Sequence, residues 1–257
     1  MTTQFEKLVK EYLKEDRKLN PVNSTFSGIH EYDELWDDDS PEGIERYLAH
    51  YDAWRARFDG AAEGLTPSEE IDLDYLRSSF TSKEIYLREL DILGNNPLAA
   101  VNTVIYGLYI MLVRNYAPAA ERADKIAARL KSVPAFLEGA KKSLKKPAEL
   151  YTKIVAEMIG SGSGFVGKAL PAVLADTPSG KLIADAAPKA AQALDDFVAY
   201  AKGLPQSPDF AAGKEIFDAL LADVHLLDYD AATLLEFGRE MFDAINGQMA
   251  ELAGKIE

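Results

Sequence analysis

The sequence contains no cysteine and only three histidines among its 257 residues. Disulfides and thiolate metal sites are excluded, and zinc would have to be held by His30, His50 or His225 together with Asp and Glu. Basic residues are also scarce: 28 Lys and Arg stand against 42 Asp and Glu, a formal charge of −14. That balance argues against nonspecific binding to nucleic acid or to an anionic membrane, and leaves peptides, small molecules or proteins as partners. Long apolar runs are lacking too. The most apolar stretch, Leu98 to Val113, has 16 residues where a membrane span takes about 20, so it is expected to form a buried central helix. The start, Met-Thr-Thr-Gln-Phe-Glu-Lys, lacks the basic-then-apolar order of a signal peptide, from which a cytoplasmic location is expected.

What is present is a helical pattern. Hydrophobic residues make up 47% of the chain, enough to fill a core, and no segment alternates apolar and polar residues as a strand does. The expected fold is all-α, a multi-helix array of about ten helices joined by short loops in one domain over residues 1–257. Residues 3–19 form an amphipathic helix that Pro21 should end. Ser40-Pro41 starts a helix to about Phe58, and Thr66 with Glu69 forms a capping box for a long helix to about Leu93. Gly94-Asn95-Asn96-Pro97 is read as a break. Pro134 should split residues 117–131 from 134–145, and the lysines at 141, 142, 145 and 146 suit a solvated helix end. Residues 160–167, Gly-Ser-Gly-Ser-Gly-Phe-Val-Gly, are expected to be a flexible connection. They spell Gly-x-Gly-x-x-Gly, but a dinucleotide fingerprint needs a preceding strand and a helical segment stands there instead. A helix of about 25 residues follows Asp176-Thr177-Pro178-Ser179, with Pro188 inside it. Another runs from about Phe210 to His225, and the last starts near Asp230 with Leu234, Leu235, Met241, Phe242, Ile245, Met249 and Leu252 in step. Its apolar face would continue to Ile256.

The segment Pro21–Ser40 interrupts the helical pattern with residues that carry chemistry. Gly28 permits a turn, and His30 stands among Glu31, Asp33 and Glu34. His30-Glu31 opens like a His-Glu-x-x-His zinc helix, yet the position four beyond His30 is Glu34. A histidine bonded to a neighbouring carboxylate or loop carbonyl is the expectation. Asp37, Asp38 and Asp39 lack the ligand spacing and glycine of a calcium loop and read as a solvated acidic turn. His50 is expected at the border of a helix and His225 in a turn capping one. A serine nucleophile would need a strand-to-helix elbow, which this pattern does not provide.

Three groups of residues in this order resemble the bacterial domain-of-unknown-function 885 family. The first is Pro21, Thr25, Gly28, His30, Tyr32 and Asp33; the second is Arg129 with Val133-Pro134-Ala135-Phe136-Leu137, Leu144 and Pro147. The third is Phe210, Gly213, Phe217, Leu220, Leu221 and His225, similar to a family Phe-x-x-Gly-x-x-x-Phe helix and the turn behind it. The resemblance covers essentially the whole chain and implies zinc metallopeptidase-like relatives that continue beyond it, with a His-Glu-x-x-Pro-Gly-His type motif in their later half. No such motif occurs here, so no catalytic, cofactor or metal residue is carried over. His30, Tyr32, Asp33, Phe210, Gly213 and His225 remain motif positions without an assigned role.

The resemblance implies a non-catalytic N-terminal helical half, scaffold and substrate-cleft wall of a bacterial metallopeptidase or hydrolase, with zinc expected only alongside the later half. A stand-alone binding or protein-interaction module is the alternative. An independent hydrolase built on His30 is the third reading. Self-association, or association with a C-terminal half, would cover the apolar faces of the last two helices.

Overall fold

A computed structural model describes residues 3–255, so Ile256 lies outside the described residues. In chain order the helices are α1 Gln4–Leu19, α2 Pro21–Phe26, α3 Pro41–Asp59, α4 Pro67–Glu84, α5 Ile92–Asn95, α6 Pro97–Val113, α7 Ala119–Ser143, α8 Glu149–Gly164, α9 Leu170–Val173, α10 Gly180–Gly203, α11 Lys214–Ala219 and α12 Ala231–Ala253. π-Helical turns at Ile85–Glu89, Phe165–Ala169 and Leu220–Val224 continue α4, α8 and α11. There is no strand among the described residues, only an isolated backbone bridge between Ala148 and Ser207. The fold is an all-α array, as expected. Among the described residues no single helix is long and apolar enough to cross a membrane.

The described residues divide into two compact units, one made of residues up to Leu65 and Asp91–Phe210, the other of Thr66–Leu90 and Ala211 onward. In the first, α6, α7, α8 and α10 enclose a core that includes Val104, Leu108, Ile126, Leu130, Val155, Ile183 and Leu194. The Leu98–Val113 run is its central helix, although Tyr106, Tyr109 and Val113 stay exposed. α1 packs on α3 through Phe5, Tyr12, Trp54 and Phe58, whose rings meet edge-on or tilted. In the second unit α4 lies against the π-turn Leu220–Val224, where the Ser78 hydroxyl donates to the Val224 carbonyl at 2.7 Å.

Local signals set the helix starts. Thr66 and Glu69 form the expected capping box, Ser40 accepts from the Gly43 amide at 3.1 Å with Pro41 behind it, and Asp230 and Thr233 cap α12 reciprocally. Tertiary packing overrides other signals. α7 runs unbroken through Pro134, because Leu130, Val133, Phe136 and Leu137 are all buried on one face and together outweigh the roughly 3 kcal/mol cost of an internal proline. The glycine run is not a flexible connection: α8 extends through Gly164 and the π-turn continues to Ala169. A Cβ at Gly162 would stand 2.5 Å from Ile105 Cδ1, and one at Gly167 would stand 3.0 Å from Ala191 Cβ. At these two glycines α6 and α10 approach closely, so a side chain there would force Ile105 or Ala191 to shift.

Other boundaries also shift. The long α4 stops with its π-turn at Glu89, and Asp91, at φ +42°, separates it from the short α5 that takes in Gly94 and Asn95. Pro21 ends α1 and at once starts α2, since proline fits a first helical position. The helix expected from Phe210 begins only at Lys214, after Gly213 in a left-handed conformation at φ +82° that no helix accommodates.

The acidic turn before α3 is solvated only in part: the Asp38 side chain is 47% exposed, but Asp39 is not solvated. Asp37 accepts the Val22 amide at 3.0 Å, Asp38 accepts the Ser40 amide at 3.0 Å and pairs with Arg46, and Asp39 is buried. The Asp39 carbonyl accepts the Ser143 hydroxyl at 2.5 Å, which draws this turn against the end of α7. Burial, then the charges of Asp37 and Asp38, push the Asp39 carboxyl up to about 7.

Two predictions follow from this packing. Gly160→Ala, which meets nothing within 4 Å, should stabilise by about 0.5–1 kcal/mol, whereas Gly162→Leu should cost about 1–3 kcal/mol; thermal melts of the two variants check the contrast. The raised Asp39 carboxyl makes the folded state bind a proton that the unfolded chain releases near pH 4. The resulting penalty therefore grows between about pH 4 and 7 and is complete above that. Asp39→Asn should stabilise at pH 8, by at most about 4 kcal/mol, with the difference fading toward pH 4 in urea titrations run at both pH values.

Candidate functional site

The residues that carry chemistry meet where the α2 turn lies on α6 and α7. α2 ends at Phe26, Gly28 reverses the chain at φ +81°, and the loop returns His30, Tyr32 and Asp33 beside Thr25. Asp33 has no exposed surface, and three groups bond its carboxylate. The Thr25 hydroxyl lies 2.7 Å from Oδ1, while the Tyr116 hydroxyl donates to Oδ2 at 2.7 Å. His30 Nδ1 is 3.0 Å from the same Oδ2, which places the imidazole proton on Nδ1. The His30 ring stacks flat on Tyr116, with centroids 3.4 Å apart, and Lys125 Nζ donates to the His30 carbonyl at 2.6 Å.

Below Asp33 sits Arg129, fully buried in α7. Its Nη2 donates to Thr25 Oγ1 at 3.0 Å and to the Tyr32 carbonyl at 3.4 Å; its Nη1 reaches the Gly107 carbonyl at 3.1 Å and Met111 Sδ at 3.3 Å. Nε has no partner among the described residues. Trp36 covers the guanidinium, 5.2 Å from ring centroid to Cζ, and its indole N–H donates to the Arg129 carbonyl at 2.9 Å. Gly107 makes room for Trp36, because a Cβ there would lie 2.8 Å from the indole.

Burial lowers the Arg129 guanidinium to about 10, with Asp33, Asp37 and Tyr116 opposing the shift, so it remains charged at neutral pH. Burial, then the bond to Asp33 and its charge, raise the Tyr116 phenol well above its usual value. Tyr116 is therefore a donor to the carboxylate throughout the physiological range. The constellation holds opposite charges within a shared hydrogen-bond network, and its polar groups face one another.

His30 is bonded to a neighbouring carboxylate, as expected, and its side chain is 21% exposed. His50 stacks on Tyr12 and stands 3.9 Å from Asp16; burial lowers its basicity against the pull of Asp16 and Glu15. His225 is exposed and terminates the π-turn through its backbone amide, which donates to the Leu220 carbonyl at 2.9 Å. Phe210 and Gly213 take no part in the network. Among the described residues no group of three or more His, Cys, Asp and Glu is placed to hold a metal ion. Thr25 and Arg129 were visible as separate motif positions, but nothing local joined them. Tyr116 and Trp36 carried no signal that linked them to His30 and Asp33.

The family described as "Bacterial protein of unknown function (DUF885)" matches residues 21–257. A solved structure of a proposed lipoprotein of unknown function from Shewanella oneidensis is similar over 98% of this chain, with a TM-score of 0.82 at 19% identity. This chain spans about half of that one, 48% of its length. No curated protein matches. With the family covering all but the first twenty residues, the chain belongs to the bacterial family of unknown function DUF885.

Proposed function

We propose that this chain is a non-catalytic helical half of a larger metallopeptidase-like protein, serving as scaffold and substrate-cleft wall, with any metal chemistry held outside it. The observation that carries the reading is the closure of the motif on itself. Both Asp33 oxygens are taken by Thr25, Tyr116 and His30, and the Arg129 charge beneath them is held by carbonyls and Thr25. A carboxylate committed in this way fixes a loop; it has no open side for a substrate or metal ion. The half-length span against the Shewanella chain is consistent with the same reading.

A second reading, a stand-alone interaction module, is favoured by α12, none of whose residues is buried. The independent hydrolase built on His30 has no comparable support, because its presumed base and ligands are partners of one another.

The scaffold reading predicts no tight zinc binding and no peptidase activity for this chain. Calorimetric titration with zinc, alongside assays on unstructured peptides, checks both. A stoichiometric, submicromolar zinc site abolished by His30→Ala would overturn the reading and restore the hydrolase.

A further inference from the structure

The turn at residues 37–40 joins three helices. Asp37 accepts the Val22 amide of α2, Ser40 caps α3, and the Asp39 carbonyl accepts the Ser143 hydroxyl at the end of α7. Ser40 also lies close to α7, its Cβ 3.8 Å from where a Cβ on Gly139 would stand. Three residues before Asp39 the same stretch of chain carries Trp36, whose indole N–H donates to the Arg129 carbonyl at 2.9 Å and whose ring stacks on Phe136 of α7. Whatever holds the turn on α7 therefore also holds the indole over the guanidinium.

One group in this turn opposes the arrangement. Asp39 is 8% exposed, and among the described residues no hydrogen bond or cation reaches its carboxylate. Asp37 and Asp38 flank it with like charge. On α3, Arg46 is committed to Asp38, and the Tyr47 phenol, kept neutral by burial and then by the charge of Asp37, accepts the Asp38 amide at 2.6 Å. On α7 the facing group is the Ser143 hydroxyl. The lysines near the end of that helix do not pair with Asp39: Lys141 holds Glu138 and Lys145 holds Asp91. A carboxyl in such surroundings is accommodated neutral and expelled when ionised, because burying an unpaired charge is far costlier than burying the protonated acid. Its proton is accordingly kept up to about 7.

We propose that residues 37–40 form a proton-operated clasp. Protonated, Asp39 stays packed against α7 and seats Trp36 over Arg129; ionised, it draws the turn into solvent, releases Ser143 and loosens the indole. The open turn leaves Asp39 solvated, with the ordinary carboxyl value near 4. Opening therefore becomes about tenfold more favourable per pH unit between about pH 5 and 7, and levels off above that.

The clasp stands apart from the scaffold reading, which zinc titration tests separately. Hydrogen exchange of the full chain, followed by NMR, reads the Trp36 indole N–H directly, with the Trp54 indole N–H, bonded to Glu15 of α1, as the comparison. After correction for the intrinsic pH dependence of exchange, the opening that frees Trp36 should rise about a hundredfold from pH 5 to pH 7 and then level off, while exceeding the global unfolding measured in urea. Asp39→Asn, which keeps the shape without the charge, should abolish that rise. Ser143→Ala, which removes the tether and leaves the charge, should raise the opening at pH 5 by at least about threefold and keep the slope. A Trp36 indole that exchanges only with global unfolding, in step with Trp54, overturns the clasp. So does a pH dependence that survives Asp39→Asn, and an opening indifferent to Ser143→Ala overturns the tether.

Discussion

The first unit depends on a guanidinium that is buried without a direct ion pair among the described residues. Arg129 has no exposed surface, and stranding its charge would cost several kcal/mol, so the surrounding chain is arranged to supply acceptors. Gly107 and Tyr32 offer carbonyls, Met111 a sulfur, and Thr25 a hydroxyl that also contacts Asp33. Trp36 then seals the site from above, its indole bonded to the Arg129 backbone. One charge on α7 thereby fixes α6, α2 and the loop that follows α2.

This accounts for residues that would otherwise look like an active site. His30, Asp33 and Tyr116 are the residue types of acid–base chemistry and lie at hydrogen-bond distances. Their geometry is nevertheless that of a closed circuit: the carboxylate accepts from the imidazole, the phenol and the threonine, and its charge offsets that of Arg129. Asp39 is the contrasting case. It is buried beside like charges with no cation paired to it among the described residues, and its carboxyl rises to about 7. The two aspartates lie six positions apart in sequence and differ in what faces them.

The legible parts of the sequence were those decided within a few residues. The Thr66–Glu69 box, the Ser40-Pro41 start, the helix start near Asp230 and the turn at Gly28 each depend on neighbours in the chain, and each is found in the structure. What could not be read depended on distant partners. Pro134 lies inside a helix because the flanking residues are core, and the glycine run, which is helical, packs at Gly162 and Gly167 against Ile105 and Ala191 from distant parts of the chain. Asp39 is buried by an approach to α7 across 104 positions. The same separation divides Thr25 from Arg129, so both appeared only as members of unconnected motifs.

The central claim is that Asp33 and Arg129 form one energetic unit joined through Thr25. A double-mutant cycle with Asp33→Asn and Arg129→Met, measured by urea unfolding, tests it most directly. Each single change should cost about 3–5 kcal/mol by leaving the other charge buried and uncompensated, and the double variant should lose about 1–3 kcal/mol less than the sum. Additivity within about 0.5 kcal/mol would contradict the account.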